Sequence, residues 1–345
     1  MSKRRQGILL INLGSPDEPK RRDVDRYLLE FLTDGRVIDL PWLSRQLLVR
    51  GLIVPLRAKN STKLYQQLWT EDGSPLKHFG EKVKQMLCEL VDHQYPVEIA
   101  MRYQNPSIED AVNSLMDKRV DEIIVFPLFP QYASATTGSA FQEVMKVFSD
   151  RQVIPSLVFI EDYYEHPAMI KVFADHGRAF DLESYDHILF SYHGLPQRQL
   201  IKADPCSHCL QSEDCCQKIT ECNRHCYSAQ CYATTQALAK ALDLSEERYT
   251  TCFQSRLGKD PWAQPYTSVI LEERAKAGDK RLLVFSPAFV ADCLETIIEV
   301  GFEYKEEFLA LGGEKIDLVP SLNDDPQWVN AIWQIINERV KISPH

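Results

Sequence analysis

Seven short apolar runs punctuate the chain: GILLINL from Gly7, VEIAM from Val97, EIIVFPL from Glu122, VIPSLVFI from Val153, HILFSY from His187, RLLVFSP from Arg281 and IDLVP from Ile316. Apolar at consecutive rather than alternate positions, they read as strands buried on both faces of parallel sheets. Between most of them the spacing turns helical. Leu76, Phe79, Val83, Met86, Leu87 and Leu90 fall on one stripe, and Ser107 stands where an N-cap opens the next helix. Strands alternating with helices predict an α/β fold with right-handed crossovers.

Two stretches echo each other. IIVFPLFPQYAS and LLVFSPAFVADC both run from a β-rich strand through proline into a polar-aromatic turn. The echo predicts two similar halves, residues 1–160 and 161–325, each with a small parallel sheet and facing each other across a cleft, with a last helix in 326–345 packing back on them. In such sheets ligands sit at the carboxyl ends of strands.

Composition narrows the function classes. A chain of 345 residues can hold two cores. With 44% hydrophobic and 26% charged residues it is neither disordered nor membrane-spanning in character. A net charge of −10 argues against a broad nucleic-acid surface. No apolar run reaches the roughly 18 to 20 residues that cross a bilayer, and the basic start MSKRRQ leads to no cleavage site, so the expected compartment is the cytoplasm. Residues 41–59, PWLSRQLLVRGLIVPLRAK, carry Arg45, Arg50, Arg57 and Lys59 with no acid, a composition suited either to peripheral contact with an anionic membrane or to a lid folded on its own domain.

Nucleotide-loop, zinc-helix and serine-elbow motifs are absent. Instead, HILFSY ends in HGLPQR, placing His193 at the carboxyl end of a strand, where an imidazole can act as base or metal contact. A helix begun near Val290 would align Asp292, Glu295 and Glu299 at i, i+3 and i+7, with Glu303 continuing the line. Such a ridge is either a solvated acidic face or a track for cations and protons. Seven of the ten cysteines lie between Cys206 and Cys231. In a reducing compartment that density disfavours a disulfide framework and favours metal or cluster ligation.

Together, LLINLGSPDEP, MRYQNP, FPLFPQYASATTGSA, SYHGLP, QSRLGKDPW and SPAFVADCLETIIE resemble the ferrochelatases, in that family's order and over nearly the whole chain. The resemblance implies two Rossmann-like halves around a porphyrin cleft, and insertion of Fe²⁺ into a porphyrin, protoporphyrin IX being favoured, with release of two protons in the last stage of haem synthesis. It places His193 and Glu295 at the principal active-site positions, each able to serve as base or iron contact, and Asp292, Glu299 and Glu303 along a proton or metal path. Leu13, Arg102, Tyr103, Tyr132, Ser139, Ser255 and Trp262 match residues that line the porphyrin pocket or anchor its propionates. Cys293 departs from the pattern, standing where many relatives have histidine. The alternatives are a cobalt or nickel tetrapyrrole chelatase, and a non-enzymatic haem- or metal-binding redox regulator.

Some ferrochelatases carry a [2Fe–2S] cluster, held in animal members by one mid-chain cysteine and three in a C-terminal extension. Neither source exists here. Residues 206–231 therefore read as an insertion supplying its own ligands, with Cys206, Cys209, Cys216 and Cys222 as candidates, Cys226 the first substitute, and zinc the alternative occupant.

Overall fold

All seven apolar runs are parallel strands in the computed structural model, which describes residues 4–212 and 214–340. An eighth strand, YTTCFQ, escapes the sequence pattern because polar residues interrupt it. The chain divides into two units. One comprises the segments up to Phe129, Ser134–Glu161 and from Asp324 onward; the other comprises Pro130–Ala133 and Asp162–Asn323.

In the first unit, β1 (Gln6–Gly14) lies between β2 (Val97–Tyr103) and β3 (Glu122–Pro127), and β4 (Ser156–Phe159) completes the order β2-β1-β3-β4. Ile8 to Ile11 of the central strand are fully buried, as residues covered on both faces must be. Those four aliphatic side chains alone contribute on the order of 6 to 12 kcal/mol of gross burial. Their partners come from α1 (Arg21–Leu32), α2 (Trp42–Leu48), α3 (Val54–Leu68), α4 (Pro75–Leu90), α5 (Ile108–Asp117) and α6 (Ser139–Ser149). One core cluster joins Leu9, Ile11 and Val125 to Val112 and Leu115 of α5 and Val144 and Phe148 of α6. Ser107 caps α5 as expected, its Oγ accepting the Asp110 N–H at 3.0 Å. β4 starts later than its apolar run predicts. Pro155 cannot donate to a ladder, and Val153 and Ile154 stay exposed before it.

The second unit repeats this plan. β5 (His187–His193), β6 (Tyr249–Gln254), β7 (Arg281–Phe285) and β8 (Lys315–Leu318) are ordered β6-β5-β7-β8, the first sheet's order shifted by four strands. Helices α7 (Pro167–Arg178), α8 (Gln197–Lys202), α9 (Tyr227–Ala241), α10 (Thr267–Ala277) and α11 (Lys305–Ala310) accompany it. α12 (Pro326–Val340) belongs to the first unit, where Trp333 meets Tyr95 with ring centroids 5.2 Å apart. Residues 341–345 of the expected final segment lie outside the described residues.

The echo extends past the strands. After β3 the chain enters a π-helical turn, Ser134–Gly138; after β7 it enters a longer π-helix, Leu294–Tyr304. The sequence pattern predicts an ordinary helix from Val290. The structure differs: residues 290–293 are a bend and irregular backbone, and the i→i+5 helix begins only at Leu294.

Candidate active site and thiol pocket

His193 is the last residue of β5 and partly buried. Its Nδ1 lies 2.7 Å from the Gly194 carbonyl oxygen. A carbonyl only accepts, so Nδ1 carries a hydrogen, and in the neutral ring Nε2 presents a lone pair. The ring stands beside Trp262 at 6.3 Å between centroids, and the Trp262 indole N–H is buried without a partner.

The acidic ridge separates into different environments. Asp292 precedes the π-helix rather than riding on it: Oδ1 accepts from Thr296 Oγ1 at 3.0 Å and Oδ2 from Asn323 Nδ2 at 2.7 Å. Glu299 is held by Gln254 Nε2 at 3.0 Å, Ser255 N–H at 2.8 Å, the Ser255 hydroxyl, and Tyr304 OH at 3.1 Å. Glu303 is exposed, and burial of its inner face with the Glu299 and Glu306 charges raises its carboxyl above the usual range. Glu295, less exposed than Glu303, also lacks such a brace. Among the described residues its carboxylate meets only the Cys293 thiol, which burial and the Glu295 charge push well above its usual range. Cys293 is therefore a neutral thiol at the N-cap of the π-helix.

Gln254, the first residue of QSRLGKDPW, is one the sequence reading passes over. It is 1% exposed and sits opposite His193 in the β5–β6 register. Ser255, expected at the porphyrin, adopts φ 65° and directs both its N–H and hydroxyl to Glu299. Tyr132 belongs to this unit, its N–H bound by Gln230 Oε1 at 2.6 Å and its ring against His225.

In the first unit, Leu13 follows Asn12 at the carboxyl end of β1, where Asn12 Oδ1 accepts the Leu13 N–H at 2.8 Å. Gly14 comes next with φ 117°, and a Cβ there would lie 2.0 Å from the Tyr103 carbonyl oxygen, so only glycine fits. Arg102, Tyr103 and Ser139 form one network around Asp34. Its Oδ2 accepts from Arg102 Nη2 at 2.8 Å, Tyr103 OH at 2.9 Å and Ser139 Oγ at 2.5 Å. Arg102 is thus paired within its own unit, and the Tyr103 ring is fully buried. Asp34 carries little local sequence signal, since its side-chain partners lie 68 to 105 residues away.

The cysteine segment closes on itself. Asp204 accepts backbone N–H groups from Cys206 at 2.9 Å and Cys209 at 2.6 Å, folding the C-x-x-C turn. Asn223 donates to the Cys215 and Lys218 carbonyls at 3.0 and 2.9 Å, folding the other arm. Against the expectation of reduced thiols, Cys206 and Cys222 form a disulfide. These two braced turns bring their Cα atoms to 5.7 Å, within ordinary bridging distance. Cys209, Cys215, Cys216, Cys222 and Cys226 line one small pocket with Asp204 and His208. Cys226 opens α9. The Cys216 thiol, opposed by burial and helped by the N–H groups of Ala229 and Ser228, brings Cys226 down to about 7, while Cys216 keeps its proton. Burial pushes Cys209 up to about 12. Cys231 is fully buried within α9 and does not line the pocket.

Residues 41–59 form α2, a π-helical turn at Val49–Ile53, and the start of α3. Trp42, Leu43, Leu47, Leu52 and Leu56 are all more than half exposed. Arg45 is turned inward, donating to the Thr33 and Leu40 carbonyls at 2.8 and 2.7 Å. Among the described residues, no helix is long and apolar enough to cross a membrane.

The sequence profile of the family described as Ferrochelatase matches residues 5–340. The chain is 44% identical over 336 residues to a ferrochelatase of Legionella pneumophila (strain Corby), covering 97% of this chain and 100% of that protein. It is 41% identical over 338 residues to one of Coxiella burnetii (strain Dugway 5J108-111), covering 97% and 94%. Among solved structures, SirB from Bacillus subtilis with Fe³⁺ covers 97% of this chain and 95% of its own at a TM-score of 0.53, a likeness of fold alone at 13% identity. With the family profile spanning both units and such identity sustained along the full length of its relatives, the chain belongs to the ferrochelatase family.

Proposed function

We propose that this chain inserts Fe²⁺ into protoporphyrin IX in haem synthesis, with His193 and Glu295 at the reacting centre. The observation that carries the residue assignment is the contrast among the polar groups of the second unit. Asp292 and Glu299 are engaged by several donors, whereas the neutral His193 ring offers an Nε2 lone pair and, among the described residues, Glu295 meets only a neutral thiol.

Insertion exchanges two pyrrole N–H protons for one Fe²⁺, so the site needs two proton acceptors and an oxygen or nitrogen donor for the arriving metal. His193 takes a proton at Nε2. Glu295 takes the other, or steadies the iron before the pyrrole nitrogens bind it. Glu303, solvent-facing with a raised carboxyl, suits onward release of protons. The unpartnered Trp262 N–H beside His193 supports a polar or π contact with the substrate there. Tyr132, in the same unit as His193, supplies aromatic surface for a flat macrocycle. The test is anaerobic incubation with Fe²⁺, Co²⁺ or Ni²⁺ and either protoporphyrin or coproporphyrin, followed by Soret absorbance. Turnover fastest with another metal or porphyrin would replace this assignment, and stoichiometric binding without turnover would favour a regulator.

The same reading places a [2Fe–2S] cluster, with zinc the alternative, in the thiol pocket, because five cysteines line a single cavity. Cys209, Cys216 and Cys226 would supply three ligands, the arriving metal displacing the protons that Cys209 and Cys216 hold without it, and Cys222 a fourth where an external thiol reductant had opened its bond to Cys206. Cys226 thereby moves ahead of Cys206, which pairs with Cys222 and does not line the pocket. When bound, such a cluster adds one-electron redox character. Metal insertion as argued here does not draw on it.

The exposed apolar side chains of α2 and α3, flanked by Arg50, Arg57 and Lys59, suit docking of a cytoplasmic protein on an anionic membrane surface. Co-sedimentation with anionic vesicles should fall when Leu43, Leu47 and Leu56 are changed to Ser together; unchanged binding would remove this surface from the proposal.

A further inference from the structure

We infer that Gln254 is a positioning residue for metal insertion: its side-chain amide locks the start of the acidic π-helix, and with it Glu295, to the strand end that carries His193. Two sets of bonds support this. Through the backbone, Gln254 faces His193 in the parallel β5–β6 register, and its carbonyl accepts the Gly194 N–H at 2.8 Å. Through the side chain, Nε2 donates to the Glu295 carbonyl oxygen at 2.8 Å and to Glu299 Oε2 at 3.0 Å, while Oε1 accepts the Ser191 hydroxyl at 2.8 Å. Ser191 lies two residues before His193 on β5 and is itself braced by Thr267 Oγ1 at 2.9 Å. One buried amide thus joins β5, β6 and the π-helix.

The chemistry of the position is selective. Two donors and an acceptor are needed at fixed places, and of the side chains this long only glutamine supplies both kinds without charge. Glutamate would set a second carboxylate against Glu299 and could not donate unless protonated. Methionine fills the space but leaves the Glu295 carbonyl, the Glu299 carboxylate and the Ser191 hydroxyl each one partner short. Gln254 touches no reacting atom. Its effect passes through the placement of Glu295 relative to His193, where a shift of about 1 Å can cost on the order of 10²-fold in rate.

The inference rests on the reading that His193 and Glu295 carry the reaction, so its test includes His193→Ala. Gln254→Met and Gln254→Glu are compared with the parent for Fe²⁺ insertion across pH, with thermal melting to verify folding. Gln254→Met should lower kcat by about 10- to 100-fold with porphyrin KM within about threefold. Gln254→Glu should be similarly slow near neutral pH. Its activity relative to the parent should recover as pH falls toward about 5, because the introduced acid, raised by Glu299, then carries the proton it needs to donate. That pH-dependent ratio is read on a folded variant, and mere loss of packing would not produce it. Gln254→Met within twofold of the parent while His193→Ala is inactive overturns the positioning role. A flat ratio across pH for Gln254→Glu overturns it as well. A fully active His193→Ala would instead remove the underlying reading of the site, and this inference with it.

Discussion

Arg102 donates from Nη2 to the Asp34 carboxylate across 2.8 Å, and both side chains are largely shielded from solvent. The arginine that the family resemblance places among residues lining the pocket or anchoring propionates is paired inside its own unit. Ser139 and Tyr103 donate to the same Asp34 oxygen, so the four side chains form one polar knot. Its value lies in order: a buried guanidinium needs a counter-charge, and Asp34 fixes where it points.

Removing one member should expose that dependence. Asp34→Asn leaves Arg102 only its longer pairing with Glu143 at 3.6 Å and is expected to destabilise the chain by roughly 1 to 3 kcal/mol in chemical denaturation. Burial alone would raise the Asp34 carboxyl, but hydrogen bonds from Ser139 and the Arg36 N–H, with the Arg102 charge, hold it below its usual range. A depressed carboxyl stabilises the fold above its unfolded value, about pH 4, and that contribution is lost as pH falls through the folded-state value. The Asn variant should lack this acid-side loss. Stability within about 0.5 kcal/mol of the parent would show that the knot is slack.

His193→Ala is expected to reduce iron insertion by about 10² to 10⁴-fold, the usual range for losing one proton-transfer group. The β5 backbone is held by its neighbours on both sides, so porphyrin binding, followed by fluorescence quenching, should stay near the parent's. Turnover within a few-fold of the parent would exclude the imidazole from the chemistry.

Glu295 and Glu299 should fail in different ways. Glu299 accepts four hydrogen bonds, and in Glu299→Gln an amide hydrogen would oppose one of those donors. The expected cost is about 1 to 3 kcal/mol of stability. Glu295→Gln, with no such donors, should melt near the parent yet lose most of its activity. Equal melting points for the two variants would contradict this division of roles.

In the thiol pocket, Cys226→Ser is expected to abolish visible absorption and stoichiometric iron and sulfide in anaerobically purified protein, because it removes the thiolate set at the start of α9. Cys231→Ser, buried outside the pocket, should retain both. Colourless parent protein with one zinc would keep the pocket and replace the cluster, and a metal-free parent would remove both.

Much of the fold was legible because burial on two faces demands consecutive apolar residues, and the inner strands β1, β3, β5 and β7 obey that demand, while the edge strands β4 and β8 are only partly covered. Strand β6 does not, since Thr250 and Thr251 break its run and Gln254 ends it. His193 was legible for a related reason: a strand followed by glycine and proline announces its own end. The paired IIVFPLFPQYAS and LLVFSPAFVADC segments announced the repeated plan, and the two sheets have the same strand order.

Sequence alone determined where every described strand but β6 lies, which residue ends β5 and where thiols crowd, because these follow from local pattern and spacing. Tertiary structure decided what the polar groups do, because a side chain's partner is chosen by which distant strand or turn the fold brings beside it. Asp34 meets Arg102 and Ser139 across 68 and 105 residues, and Glu299 becomes a brace only because Gln254 and Ser255 arrive 45 and 44 residues from it. The helix type is another such outcome. Leu294–Tyr304 has an ordinary helical pattern, but its π-helical start is pinned by the Cys293–Thr296 capping box and by Gln254 Nε2, and only the folded second unit brings Gln254 there.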